Sequence, residues 1–193
     1  MAALSSTLST LPFSVAGGAV TRRGDCGAVD LNAFAKGWIV DAAIAVVSGE
    51  AGIESVLVSA GGDLAHAGAG GVRVGVENPQ RPFDNEPPLL VFELSGAAAA
   101  TSGSARRGFR IGGVRYGHVL DPRTGRPVEH TRSATVVAPR AAVADAVATI
   151  VSVLEPSEAT GFTDRLDDVS CCVVAADGTV HRSSGWTDLE LRS

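Results

Sequence analysis

Apolar runs alternate with short glycine- and proline-rich breaks along the chain, and the longest runs predict helices. The first covers 30–48: it opens with a polar residue, continues through alanine, isoleucine and valine, and is followed by glycines. A second, strongly helical run covers 141–154 and lies between Pro139 and Pro156, which limit its length. Residues 157–167 predict a further short helix.

Shorter apolar runs between turn residues predict strands. The clearest are SVLVSA (55–60), VRVGVE (72–77), LLVFEL (89–94) and ATVVA (134–138). Strand-like segments on both sides of Gly112-Gly113 and of Asp177-Gly178 indicate two hairpins. Because strands and helices are interspersed, the chain is predicted to be α+β, with mixed or antiparallel sheets covered by packed helices.

The composition is that of one globular domain. A chain of 193 residues is typical of a single domain, and its low aromatic content (5%) means that Ala, Val, Leu and Ile must build the core. The net charge of −5, without a basic stripe, argues against nucleic acid as a partner. No run is long enough to span a membrane. The first twenty residues lack a basic region and contain Pro12, so we expect no signal peptide and a cytoplasmic location.

The three cysteines predict neither a disulfide between neighbours nor a zinc site. Cys171 and Cys172 are adjacent, and neighbours on a strand point to opposite faces, so they are not expected to pair. The sequence has no C-x-x-C spacing of the kind that holds zinc. The cysteines are instead expected to be buried, to pack as small apolar side chains and to remain reduced.

Two polar clusters in the first third of the chain are candidates for ligand contact. Asp30 and Lys36 stand at the start of the first predicted helix. They are either an N-cap and a solvated lysine, or a phosphate site made by the helix N-terminus and the ammonium. Asp63 closes the segment SAGGD, which is either a simple turn or a stretch of bare backbone open to a ligand. In the second case Asp63 accepts a hydrogen bond from that ligand.

Two further clusters lie in the second half. His118 sits between a predicted strand and a turn shaped by Asp121-Pro122, and it is either a structural or a catalytic histidine. Asp145 and Thr149 are four residues apart in an apolar helix, so both project from one face. Asp145 lies either on an exposed stripe, with Thr149 bonding back to a carbonyl, or in a site for a hard cation such as Mg²⁺.

Six segments follow one another in an order that resembles a known family. They are DLNAFAKGWIVD, SAGGD, VGVENP, ATSG, YGHVLDPRTGRPV and the ADAVAT helix. In this order they resemble the ApbE family of FAD:protein FMN transferases (flavin transferases) over residues 29–150. The resemblance implies an ApbE-like, T-fold-like architecture, with an N-terminal segment at 1–28 and a catalytic domain at 29–193. Because family members usually have more residues before this point, the resemblance also implies that the chain is N-terminally shortened: it is a fragment, a shortened paralogue, or a chain whose missing wall comes from another chain. Asn32 and Phe34 depart from the small and aliphatic residues usual in the family.

The resemblance also assigns roles to individual residues. It implies a Mg²⁺ ion held by three ligands, contacts to the flavin nucleotide, and a histidine that activates the acceptor hydroxyl. The metal ligands are the backbone carbonyl of Ala33 and the side chains of Asp145 and Thr149; the nucleotide contacts are Asp30, Lys36 and the backbone near Val119; the histidine is His118. If SAGGD binds a ligand, Asp63 is a further nucleotide contact.

The implied reaction is a Mg²⁺-dependent transfer of FMN from FAD to a threonine hydroxyl of an acceptor flavoprotein, with release of AMP. The threonine, in a flavinylation motif, attacks the phosphorus next to riboflavin, and a neutral His118 takes its proton. Two alternatives remain open: hydrolysis of FAD to FMN and AMP, and a silent flavin-binding or scaffold relative. FAD and the acceptor are the expected partners, and homo-oligomerisation is left open.

Overall fold

The protein is described by a computed structural model at residues 13–23, 29–83, 85–103 and 108–191. Its strands are β1 (Phe13–Ala16), β2 (Ala19–Arg22), β3 (Ser55–Ala60), β4 (Asp63–Gly68), β5 (Val72–Val76), β6 (Leu90–Leu94), β7 (Ala98–Gly103), β8 (Gly108–Ile111), β9 (Val114–Gly117), β10 (Leu120–Asp121), β11 (Arg126–Pro127), β12 (Thr131–Ala138), β13 (Ser170–Ala175) and β14 (Val180–Arg182). Its helices are α1 (Ala35–Val47), α2 (Ala141–Val153) and α3 (Pro156–Thr163), followed by a 3-10 turn at Ser184–Asp188. None of the described helices is both long and apolar enough to cross a membrane.

An antiparallel six-stranded sheet lies at the centre, in the order β14-β13-β12-β7-β4-β3. The two middle strands, β7 and β12, pair with Thr101 opposite Thr135. The other described strands form the two-stranded pairs β1-β2, β5-β6, β8-β9 and β10-β11. The predicted α+β class with antiparallel sheets is therefore confirmed.

Core residues cover both faces of this sheet. On one face α2 and α3 pack against β12 and β13 through alanines and valines such as Ala144, Val136 and Val173. On the other, the β5-β6 hairpin and the 3-10 turn bring in Phe92 and Trp186, whose ring centroids lie 5.1 Å apart. The small side chains predicted from the composition let α2 lie close to β7 and β12.

The adjacent cysteines show that β13 contributes side chains to the core on both faces of the central sheet. Cys171 belongs to the core cluster under α2 and α3, whereas Cys172 belongs to the cluster around Trp186. Both are buried and free, as the alternation of side chains along a strand requires. Burial raises the pKa of the Cys172 thiol to about 12, so it stays protonated and unreactive at neutral pH.

Helix α1 crosses the N-terminus of α2 at Gly37, where the two backbones touch. A Cβ at this position would overlap the Ala141 carbonyl group and lie 2.6 Å from the Ala142 nitrogen. One turn later, Asp41 accepts hydrogen bonds from the Ala141 N–H (2.7 Å) and the Ala142 N–H (3.1 Å). Because Arg140, at the N-cap of α2, provides no side-chain cap, α1 supplies the cap that α2 needs.

The first helix begins later than the sequence pattern predicts. It starts at Ala35, and the backbone from Leu31 to Phe34 forms a turn instead. Asp30 caps that turn: its Oδ1 accepts the Asn32 N–H at 2.8 Å. The prediction that Asp30 caps a backbone N–H was right, but the capped element is a turn and not the helix. An aspartate can accept the N–H two residues later in either element.

Strand β7 was also not predicted, although it lies at the centre of the sheet. Its sequence AAATSG is rich in alanine, which favours helices over strands. Burial between β4 and β12 overrides that preference. The neighbouring strand β4 begins at Asp63, which pairs with Ala60, so the turn in SAGGD is Gly61-Gly62 alone.

Candidate functional site

A cavity of about 910 Å³ opens where the turn before α1, the middle of α2 and strands β7 and β12 meet. Its walls contain six of the eight residues predicted from the sequence to form the site, which are Ala33, Lys36, His118, Val119, Asp145 and Thr149. Asp63 lies behind Lys36 and contacts its ammonium. Asp30, which caps the preceding turn, is not among the lining residues. The fold thus brings together residues more than a hundred positions apart.

The centre of the cavity wall is an ammonium enclosed by oxygens. Lys36 Nζ donates to both carboxylate oxygens of Asp145, each at 2.7 Å. It also lies 3.3 Å from Asp63 Oδ2 and 3.3 Å from the carbonyl oxygen of Asn32. The Lys36 side chain is 32% exposed, whereas those of Asp145 and Asp63 are 8% and 2% exposed. Two buried carboxylates therefore share one partly accessible positive charge.

Asp63 is the less well satisfied of the two carboxylates. Its Oδ2 is buried and has no hydrogen-bond partner among the described residues, and its 3.3 Å contact with Lys36 Nζ is an ion pair. Burial, reinforced by the nearby charge of Asp145, raises the pKa of Asp63 to about 6, and Lys36 offsets only part of this. Ionisation of Asp63 therefore costs stability in the folded protein, whereas the Asp145 carboxylate accepts two short hydrogen bonds from Lys36.

Replacing Asp63 by Asn is expected to stabilise the protein more at pH 8 than at pH 5. Because the pKa of Asp63 is about 6 in the folded protein against an ordinary 3.8, folding takes up a proton between these values. Asp63 therefore lowers the free energy of unfolding above pH 6 by up to about 3 kcal/mol, relative to its effect below pH 4. This loss of stability disappears as the pH falls from 6 toward 4. Thermal unfolding of both proteins across this range measures the difference.

The control for this measurement is Asp177→Asn. Asp177 accepts the Thr179 N–H at 2.8 Å. Hydrogen bonding with Thr179 lowers the pKa of Asp177, so its carboxylate is ionised at both pH values. Its replacement should change stability equally at pH 5 and pH 8. An Asp63→Asn effect that is equally independent of pH would contradict the raised pKa of Asp63.

Asp145 and Thr149 project from α2 into the cavity. Asp145 is buried, so its interpretation as part of an exposed stripe is wrong. Thr149 Oγ1 donates to the Asp145 carbonyl oxygen at 3.3 Å, which is the back-bond considered from the sequence. Its oxygen keeps lone pairs, and the residue still lines the cavity.

His118 stands at the rim on a segment with a fixed shape. It is exposed and directly precedes Val119, whose carbonyl accepts the Val128 N–H at 3.0 Å. The following turn is closed by Asp121: its carboxylate accepts hydrogen bonds from the backbone and guanidinium of Arg123, which lower the pKa of the carboxyl. Arg123 also donates to the Val153 carbonyl at 3.2 Å and so ties the turn to the end of α2.

A row of hydroxyls on β7 and β12 also lines the cavity and was not proposed from the sequence. The Thr101 and Thr135 hydroxyls lie 2.9 Å apart, and the buried Ser133 hydroxyl has no hydrogen-bond partner within the described part of the chain. The motif ATSG contains Thr101, but only the pairing of β7 with β12 shows that these hydroxyls form one surface.

The oxygen groups around Lys36 fit a hard cation better than a soft one. Among the described residues no group of three or more His, Cys, Asp or Glu side chains could hold a metal. The available donors are instead carboxylate, hydroxyl and backbone carbonyl oxygens, which are the ligands of Mg²⁺. The ammonium of Lys36 already occupies a cation position among them.

Fold and cavity together define an α+β protein with a charged pocket between two crossing helices and the central sheet. The chain belongs to the ApbE family, whose profile matches residues 3–173. It is 40% identical over 171 residues to the FAD:protein FMN transferase of Escherichia coli (strain K12), covering 86% of this chain and 47% of that protein. It is 33% identical over 174 residues to the protein of the same name from Treponema pallidum (strain Nichols), covering 83% and 47%.

Solved structures agree with this assignment. The ApbE protein of Thermotoga maritima matches with a TM-score of 0.74 and 30% identity, over 85% of this chain and 54% of its own. The apo form of the Pseudomonas stutzeri flavinyl transferase ApbE matches with a TM-score of 0.74 and 26% identity, over 92% and 56%. The resemblance drawn from the six motifs is confirmed. The chain spans about half the length of these relatives.

Proposed function

We propose that this chain carries the catalytic site of a Mg²⁺-dependent flavin transferase, which moves FMN from FAD to a threonine hydroxyl of an acceptor flavoprotein and releases AMP. The observation that carries the proposal is the cavity, where Ala33, Lys36, His118, Asp145 and Thr149 meet in one place. Relatives of the same family named FAD:protein FMN transferase support the choice of substrate.

In the proposed reaction one bond forms and one breaks at the phosphorus next to riboflavin. The threonine oxygen attacks this phosphorus, the bond to the AMP oxygen breaks, and AMP leaves with the electron pair. The hydroxyl proton passes to an imidazole nitrogen of His118. Because His118 is exposed at the rim, a protein-borne hydroxyl can reach it from outside.

The metal ligands proposed here are the Asp145 carboxylate, the Thr149 hydroxyl and the Ala33 carbonyl. When bound, Mg²⁺ supplies charge neutralisation at the pyrophosphate and the leaving oxygen. Without it, ionised Asp63 and Asp145 outweigh Lys36 by one negative charge, which repels an anionic nucleotide. The ammonium of Lys36, partly exposed in the cavity, supplies a further positive charge for the phosphates.

The test is to mix the purified protein with FAD, Mg²⁺ and a small acceptor domain that carries the threonine motif. Transfer is measured as the mass gain of the acceptor and as its flavin fluorescence in a denaturing gel. His118→Ala is expected to lower the transfer rate by about 100-fold or more, because the attacking hydroxyl loses its base. His181→Ala is the matched control, since His181 lies on β14, outside the cavity lining.

The other outcomes separate the alternatives. Splitting of FAD into FMN and AMP without acceptor labelling would favour the hydrolase, in which water replaces the threonine at the same site. FAD bound but left intact would favour a silent flavin-binding relative. Equal rates for His118→Ala and the unmutated protein would remove His118 from the mechanism.

A further inference from the structure

Lys36 occupies the side of the Asp145 carboxylate on which both oxygens can be reached by one cation. Its ammonium is equidistant from the two carboxylate oxygens, at 2.7 Å from each. Mg²⁺ binds carboxylate oxygen at about 2.0–2.1 Å and requires nearly ideal octahedral geometry. An ammonium in this position takes one lone pair on each carboxylate oxygen, and two cations so close together repel each other. A metal ion bound on this side of Asp145 and the present position of Lys36 therefore exclude each other.

Asp63 provides an alternative place for the displaced ammonium. Its Oδ2 lies 3.3 Å from Lys36 Nζ, is buried, and lacks a hydrogen-bond partner within the part of the chain that the structure describes. The side chain of Lys36 passes beside Gly61: a Cβ built there would lie 3.7 Å from Lys36 Cδ, an ordinary contact distance. Because Lys36 Nζ already lies within ion-pair distance of both carboxylates, only a small movement is needed to exchange Asp145 for Asp63.

The sequence adds an independent observation. Lys36 is the only lysine in the chain, where Lys and Arg together number 16. At every other basic position the chain has arginine, whose planar guanidinium binds a carboxylate in a fixed, two-pronged geometry. A compact ammonium on a flexible stem can instead change partners with a small movement.

We propose that Lys36 is an internal counter-ion that fills the metal position of Asp145 and that Mg²⁺ displaces it onto Asp63. The inference rests on the proposed function, because it takes Asp145 to be a metal ligand. In it Asp63 is a positioning residue that acts through Lys36 and touches neither metal nor nucleotide. The exchange couples metal binding to a change of partner, in which Lys36 gives up Asp145 and pairs with Asp63.

Because Lys36 is the only lysine, the exchange can be observed directly. A sample labelled with ¹⁵N-lysine gives one side-chain ammonium signal, which is followed while Mg²⁺ is added, with and without FAD. We expect the signal to shift with saturation in the unmutated protein and not to shift in Asp145→Asn, where the metal has lost its ligand. A signal unchanged at metal saturation would overturn the exchange.

Metal affinity provides the second measurement, by calorimetric titration with Mn²⁺ and Mg²⁺. Lys36→Met removes the competing ammonium and should raise the affinity about 10-fold, whereas Asp63→Asn removes its alternative partner and should lower it about 10-fold. The double variant separates the mechanisms: if Asp63 acts through Lys36, Asp63→Asn should have little effect in the Lys36→Met background. An equal loss of affinity in both backgrounds would show that Asp63 acts on the metal by its own charge and would overturn the proposal.

Metal titration of the unmutated protein, Lys36→Met and Asp145→Asn distinguishes a failure of the metal-dependent function from a failure of the exchange. If neither Mn²⁺ nor Mg²⁺ binds the unmutated protein or Lys36→Met, with or without FAD, then Asp145 is not a metal ligand and both the metal-dependent function and the exchange are wrong. If metal binds and Asp145→Asn abolishes binding, but Lys36→Met leaves the affinity unchanged, the proposed function survives and the exchange alone is wrong. The lysine signal of the unmutated protein gives an answer even if Lys36→Met does not fold.

Discussion

Replacing Asp145 by Asn is expected to reduce FMN transfer by about 100-fold or more. Asn removes the negative charge that would hold Mg²⁺ while keeping nearly the same volume on α2. Changes to groups that merely support a metal ligand already cost about 10- to 100-fold, so loss of the ligand charge should cost at least as much. The acceptor-labelling rate at saturating FAD and several Mg²⁺ concentrations measures the effect.

Stability measurements distinguish a loss of metal from a loss of fold in this variant. The Asp145→Asn substitution leaves one carboxylate, Asp63, opposite the ammonium of Lys36, so the two remaining charges balance and the variant should fold. Asp177→Asn, at the exposed turn between β13 and β14, changes the same chemical group away from the cavity and should transfer FMN at the unmutated rate. A folded Asp145→Asn that kept Mg²⁺-dependent transfer within a few-fold would exclude Asp145 as a ligand.

Gly37→Ala is expected to lower the free energy of unfolding by about 3 kcal/mol or more, the largest stability effect we predict. The added methyl would overlap the backbone of Ala141, and backbone cannot turn aside as a side chain can. Either α1 moves away from α2, or both helices bend; each response also separates Lys36 from Asp145 and weakens the Asp41 cap. Urea denaturation of both proteins gives the difference.

The matched control is a second glycine just beyond the end of the same helix. A Cβ on Gly49 would meet only the carbonyl oxygens of Val46 and Ala45, at 3.6 and 3.9 Å, which are ordinary contacts. Gly49→Ala should therefore be neutral or stabilise the protein by less than about 1 kcal/mol. If Gly37→Ala unfolded at the same urea concentration as Gly49→Ala, the close crossing of the helices would be wrong.

The sequence predicted the elements with strong periodicity and failed where tertiary contacts decide. The helix predicted at 141–154 is observed at Ala141–Val153, because its apolar pattern and flanking prolines are local signals. Strand β7 was missed because only its neighbours on both sides make an alanine-rich segment extended. The start of α1 was misplaced because Asp30 caps a turn, and local sequence does not separate the two kinds of cap.

For the site, the sequence identified the chemistry of single residues better than their partners. Lys36 and Asp145 were both proposed, but for different ligands, a nucleotide and a metal. Their direct ion pair joins residues 109 positions apart, and no local pattern records such a contact. The cap that Asp41 gives to α2 is likewise formed across 100 positions. Both contacts follow from the crossing at Gly37, which is visible only once the helices are placed.

The crossing of α1 and α2 also limits how this stretch of sequence can change in length. Lys36, Gly37 and Asp41 all lie on α1, and each contacts the backbone or a side chain of α2. Successive residues of a helix are rotated by about 100° around its axis. One residue inserted or deleted between Lys36 and Asp41 would turn one of them away from its partner. The window from Lys36 to Asp41 can therefore keep all three contacts with α2 only at constant length.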